Sequence, residues 1–244
     1  MEHPYVVVLG GTETYGRFVP QPYPARVEEA LGCDVINLGC VNAGVDVFLG
    51  EPSVIEMAQR AEATVVQIVG AHNLTNRFYA VHPRRNDRFL RASPLLRSIF
   101  REVDFTEFHF TRHMLQTLQA VSPEKFEVVA EELRSVWVSR MSALLRSVGG
   151  KIALLWIAGH PPDAARRRAD LARDPLLVNI EMIRSVRALA SDYVEVVGSP
   201  AARASGLEGM SFGPMERLAA AEVLNAALHR EVAEAVTPAL RRLL

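Results

Sequence analysis

Two residue types are nearly missing from this 244-residue chain: it has two cysteines, and among its 27 basic residues only Lys125 and Lys151 are lysine. Cys33 and Cys40 flank an apparent strand. Seven residues at about 3.3 Å each place them roughly 23 Å apart, against about 6 Å for the Cα atoms of a disulfide. A disulfide scaffold is therefore excluded, and a reduced, cytoplasmic protein is the expectation. An excess of one charge is also missing. With 27 basic and 28 acidic side chains the net charge is −1, which gives no general attraction to nucleic acid or to an anionic membrane. Long hydrophobic runs are lacking too: Met1-Glu2-His3-Pro4 leads straight into Tyr5-Val6-Val7-Val8-Leu9, too short for a signal-peptide core or a span. What remains is ordinary globular composition, 49% hydrophobic with 15 glycines and 14 prolines, which fits a single domain over 1–244.

Short apolar runs alternate with helical patterns along the chain. The runs are 5–9, 34–38, 64–69, 152–158 and 193–197, and each lacks polar alternation, as parallel strands covered on both faces do. Helix-like stretches lie between them at 24–31, 52–61, 123–148, 175–190 and 216–236. The third is the clearest. Ser122 can cap it, Pro123 suits the first turn, and Phe126, Val129, Leu133, Trp137, Met141, Leu144 and Val148 form one apolar stripe. Gly149-Gly150 stops it, and Pro238 is expected to close the last helix. The fold class is α/β: a three-layer, doubly wound sheet of about five parallel strands. In such sheets the ligand sits beyond the carboxyl ends of the strands, where the loops read GGTETYG (10–16), GCVNAG (39–44), GAHNLTNR (70–77) and GHPPD (159–163).

About fifty residues separate the third strand from the long helix, more than a connection needs. This stretch, 71–121, is read as an arginine-rich helical insert. Residues 77–101 hold seven arginines and one acid, Asp87, and REVDFTEFHFTRHML (101–115) follows. His82, Arg84, Arg85 and Arg88, with Arg77, can hold an anion through bidentate contacts; pairing with Asp104 and Glu107 is the structural alternative. His109 and His113 would lie i, i+4 on a helix, but H-E-x-x-H is absent and no metal site is expected. No cofactor is implied, since GGTETYG has neither Walker nor GxGxxG spacing.

The hydroxyl of Thr12 follows the first strand, where a nucleophile needs a base and oxyanion donors. Backbone N–H groups near Thr12 and Gly44, with the Asn73 amide, are the candidate donors. Glu13, Thr14 and Asn42 are candidate ligand contacts beside them. The competing reading is that Thr12 or Thr14 simply caps the next segment. Cys40 reads as a small buried residue.

Gly10-Gly11-Thr12, NLGCVNAG (37–44) and Gly70-Ala71-His72-Asn73 resemble the blocks of the SGNH (GDSL-like) hydrolases, a fold of flavodoxin-like type. That resemblance puts Thr12 in the nucleophile position, Gly44 in the oxyanion position, His72 in the asparagine position and Asn73 in the aspartate position. The chain departs from the pattern at the last block: Glu208-Gly209-Met210-Ser211 stands where D-x-x-H belongs, and no histidine occurs from Pro161 to Leu228. Over nearly the whole chain, LGGTETYG, NLGCVNAG, NRFYAVHPRRNDRFLRASPLLR and REVDFTEFHFTRHML resemble an uncharacterised domain-of-unknown-function family widespread in alphaproteobacteria. The resemblance implies a divergent SGNH-type hydrolase or transferase, cleaving or transferring an ester on an anionic small molecule or carbohydrate, with Thr12 as nucleophile and His72 as base. The alternative is a catalytically eroded protein that binds such a ligand with the strand-end loops and the basic insert.

Overall fold

The computed structural model describes residues 3–163 and 169–244; Met1 and Glu2, where the reading of the N-terminus began, lie outside the described residues. Strand β1 (Tyr5–Gly10) is followed by the one-turn helix α1 (Thr12–Tyr15) and by α2 (Tyr23–Leu31). Next come β2 (Asp34–Gly39), α3 (Asp46–Leu49), α4 (Pro52–Gln59) and β3 (Ala63–Gln67). The stretch after β3 contains β4 (Tyr79–Val81), β5 (Phe89–Ala92), α5 (Pro94–Ile99) and α6 (Thr111–Val121). The remainder is α7 (Pro123–Val148), β6 (Ile152–Ala158), α8 (Ile180–Arg187), β7 (Asp192–Val197), α9 (Pro200–Ala204), α10 (Arg217–Ala221) and α11 (Ala226–Leu243).

Five parallel strands pair in the order β2-β1-β3-β6-β7. Successive β1 side chains point to opposite faces, so Val7 and Leu9 join one core while Val6 and Val8 join the other. The first core packs under α7, with Trp137 and Met141 fully buried. Beneath α2 and α11 lies the second, holding Val27, Val232, Val236 and Leu240. Helices thus cover both faces, which is why the strands read as unbroken apolar runs. The chain leaves β1 for β2 on one side and returns past it to β3, so the strand order reverses between β1 and β3. That is where an α/β sheet opens a crevice.

Helix α7 has the expected limits, and the Ser122 side chain accepts a hydrogen bond from the Lys125 N–H at 3.3 Å. Other expectations are corrected. The segment 175–190 becomes helical only at Ile180, where Asn179 caps it through the Met182 N–H. The stretch 216–236 is two helices, α10 and α11, separated by Asn225, which caps α11. Pro238 does not end α11, because Ala239 and Leu240 are buried against the sheet and carry the helix on to Leu243. The 71–121 stretch is not wholly helical: β4 and β5 form an antiparallel hairpin. His109 lies before α6, so it and His113 are not successive turns of one helix. No helix among the described residues is long and apolar enough to cross a membrane.

Candidate active site

A cleft of about 640 Å³ opens at the β1/β3 switch point. Gly11, Thr12 and Glu13 come to it from the end of β1, Asn42 and Ala43 from the loop after β2, and Gly70, His72 and Asn73 from the loop after β3. The later part of the chain adds Asp87, Thr111, Arg112, His113, Asp174 and Glu222.

Thr12 begins α1 with Gly11 as its N-cap, so its hydroxyl is not used as a cap. Instead, Thr12 Oγ1 accepts from the Asn42 backbone N–H at 3.0 Å and lies 3.4 Å from Asn42 Oδ1. Asn42 has φ +55°, a left-handed conformation that asparagine tolerates better than most residues. The turn it makes is what aims its N–H at Thr12. Asn73 supports the same loop, donating from Nδ2 to the Asn42 carbonyl at 2.9 Å and accepting from Thr111 Oγ1 at 2.5 Å.

Gly44 is committed elsewhere. Its N–H donates to the side-chain oxygen of buried Asn86 at 3.1 Å, and Gly44 does not line the cleft. A Cβ there would lie 1.8 Å from the Asn73 carbonyl oxygen, so glycine is required by packing between two protein loops. The donor facing the hydroxyl is Asn42, two residues earlier. Its signal in the sequence was the spacing N-x-G-x-x-N from Asn37, which places an αL-tolerant residue at the turn.

His72 lies in the cleft wall but does not hydrogen-bond Thr12. Its Nδ1 is buried without a partner among the described residues, and its carbonyl accepts from the Tyr79 hydroxyl at 2.5 Å. Desolvation lowers its pKa to about 4, so the ring is neutral at pH 7. No imidazole hydrogen-bonds Thr12 among the described residues. Ser211, in the position of the missing histidine, donates its N–H to the Phe18 carbonyl at 2.8 Å and does not line the cleft.

Thr14 is fully buried, so it is no ligand contact: it donates to Gln67 Oε1 at 2.6 Å and sits 2.7 Å from the Tyr23 hydroxyl. Glu13 lines the cleft and receives a hydrogen bond from Gln67 Nε2 at 2.7 Å. Burial raises its pKa, an effect that outweighs the Gln67 hydrogen bond. Opposite, Arg112 Nη2 reaches both oxygens of Asp174 at 2.6 Å.

The arginines after β3 do not converge on this cleft. Arg77 pairs with Glu132 and Arg84 with Glu51, both at 3.0 Å. Arg88 stacks over the Phe110 ring at 4.2 Å. His82 and Arg84 line a second cavity, of about 600 Å³, and His82 Nδ1 accepts from the Arg84 and Arg85 N–H groups at 3.2 Å. The expected pairing with Asp104 is not formed; its carboxylate accepts from the Thr106 N–H and hydroxyl, which hold its pKa below the usual range. Glu107 likewise makes no ion pair with an arginine of 77–101 among the described residues. No group of three or more metal-ligating side chains occurs among the described residues.

Sheet order and strand-end cleft together define a doubly wound α/β fold with its crevice at the switch point. The chain belongs to the DUF6473 family, described as a domain of unknown function, whose family model matches residues 1–244. Among solved structures it is similar to a carbohydrate esterase family 2 enzyme with a carbohydrate-binding domain from Corynascus thermopiles (Myceliophthora fergusii). The TM-score is 0.51 at 11% identity, over 98% of this chain and 66% of that one. It is also similar to an acetylxylan esterase from Geobacillus stearothermophilus, with TM-score 0.45, 17% identity, and 98% and 94% of the two chains covered. A salicylyl-acyltransferase of a tetracycline biosynthetic pathway aligns at TM-score 0.45 and 11% identity, over 100% of this chain and 56% of that one. The chain thus spans 66% and 56% of two of these structures. No curated protein matches it. At these identities the likeness is one of fold.

Proposed function

We propose that the switch-point cleft binds a small polar ester, of small-molecule or glycan origin, and cleaves it or transfers its acyl group with the Thr12 hydroxyl at the reacting carbonyl. The observation that carries this reading is the Asn42 N–H lying 3.0 Å from Thr12 Oγ1 at the cleft floor. A hydroxyl whose oxygen accepts from a backbone N–H is polarised to donate its own hydrogen to a developing oxyanion. An anionic ligand has weaker support than a neutral polar one, because Arg112 is already engaged by Asp174 and Arg84 by Glu51. A cytoplasmic setting belongs to the same proposal and fits the two free thiols, Cys33 and Cys40. The test is turnover of a panel of p-nitrophenyl and sugar esters by the wild type and by Thr12→Val.

A specific observation favours a second reading, that of a binding protein on this fold. Thr12 has only amide neighbours among its hydrogen-bond partners, and an amide accepts no proton at neutral pH. On that reading an ester or its acid would bind and raise the melting temperature by linkage, without being consumed.

A further inference from the structure

The cleft contains a carboxyl group that a reading centred on Thr12 leaves without a task. Glu13 directly follows Thr12, lines the same cleft, and is anchored by Gln67 and by its own backbone N–H. Gln67 Oε1 accepts from the Gly11 N–H at 2.8 Å and from Thr14 Oγ1 at 2.6 Å. Its amide nitrogen must therefore face Glu13 Oε2, which it reaches at 2.7 Å. The anchor is rigid, since Gln67 is buried on β3 and Thr14 is held in turn by Tyr23. A carboxyl group held by hydrogen bonds in the wall of a cleft, one residue from the Thr12 hydroxyl, is placed for proton transfer.

We infer that Glu13 is the proton acceptor and donor of this cleft, working on a water molecule while the Thr12 hydroxyl, polarised by the Asn42 N–H, holds the oxyanion. The inference rests on the ester-cleaving reading above. The Glu13 carboxylate takes one proton as the water oxygen bonds to the ester carbonyl carbon. The carbonyl π pair moves onto its oxygen, which the Thr12 hydroxyl binds, its own oxygen accepting from the Asn42 N–H behind it. When the tetrahedral species collapses, the C–O bond to the leaving group breaks and the proton on Glu13 passes to the departing alkoxide. Water and ester become acid and alcohol, and Glu13 ends as a carboxylate.

The environment favours this role. Burial makes Glu13 a stronger base when ionised than an ordinary carboxylate, and Asp174 nearby adds to that effect while Arg112 opposes it. The other titratable groups around the cleft are His72, Asp87, His113 and Glu222. His72 is a weak base, its pKa lowered to about 4.

The test is the pH profile of kcat/KM on p-nitrophenyl acetate and a panel of short-chain esters, using the whole chain as wild type, Glu13→Gln and Glu13→Asp. Melting temperatures and intact masses during turnover are recorded alongside. The wild-type rate should fall on the acid side of a midpoint above the ordinary carboxylate range. Glu13→Gln should lose about 100-fold or more and the acid limb with it, while Glu13→Asp keeps part of the rate with a displaced limb. No acyl adduct should accumulate. Should Glu13→Gln fail to fold, the wild-type limb and its displacement in Glu13→Asp decide. Wild-type turnover with Glu13→Gln within threefold, or an acyl group trapped on Thr12, would overturn the inference and leave ester cleavage standing. A wild type inactive on the whole panel would overturn both.

Discussion

Two cleft side chains are pushed toward their uncharged forms by the same burial, and their effects on stability run in opposite directions with pH. Glu13 has a raised pKa, so above the unfolded value near 4.3 the folded state holds a proton that the unfolded chain has released. Its contribution is complete at acid pH and lost as pH rises through the folded pKa. Glu13→Gln, which cannot ionise, should therefore raise the melting temperature relative to wild type at pH 8 and change it little at pH 4. His72 and His229 behave in the reverse sense, both lowered to about 4 by desolvation. As pH falls from about 6.5 toward 4, only the unfolded chain takes up those protons, so stability falls by about 1.4 kcal/mol per histidine per pH unit at most. A melting-temperature series from pH 7 to 4.5 should be shallower for His72→Gln than for wild type. Parallel curves would mean that His72 is not buried neutral. None of these shifts was legible in the sequence, because Glu13 owes its environment to Gln67, 54 residues away.

Between elements, what the sequence shows is whatever repeats locally. Helix α7 was legible to the residue, because its cap, its first-turn proline, its stripe and its terminal glycines all lie within the helix or next to it. The β4–β5 hairpin was not. Its strands are three and four residues long, and their register depends on pairing across the seven positions of 82–88. The site divides the same way: Thr12, Glu13, Asn42, His72 and Asn73 line one cleft. Gly44 and the arginines are bound up in packing instead. Asn86 shows why. Fully buried, it accepts from the Gly44 and Val47 N–H groups at 3.1 and 3.0 Å and donates to the His82 and Pro83 carbonyls. It ties the stretch after β3 to the loop after β2. Asn86→Leu should cost about 2–4 kcal/mol in a denaturant melt, because buried backbone donors lose their partner. Gly10→Ala is an independent check on the β1 end. Its methyl would lie 2.0 Å from Thr14 Oγ1 and 2.4 Å from Gln67 Oε1, with an expected loss of about 1–3 kcal/mol.

At the scale of the whole molecule, the strand order β2-β1-β3-β6-β7 puts the reversal of winding between β1 and β3, and the cleft opens there. Every strand-end loop from β1 to β3 delivers at least one polar group to it, while Asp174 and Arg112 close the far side. The architecture was predictable from alternating apolar runs and helical stripes; the content of the cleft was not, since it draws on segments more than 200 residues apart. The account turns on Thr12 being the hydroxyl at the reacting carbonyl. The most direct measurement compares ester turnover by wild type and Thr12→Val, with both melting temperatures recorded. Turnover that falls about 100-fold or more in Thr12→Val at an unchanged melting temperature is the predicted result. Equal turnover in the two proteins would contradict it.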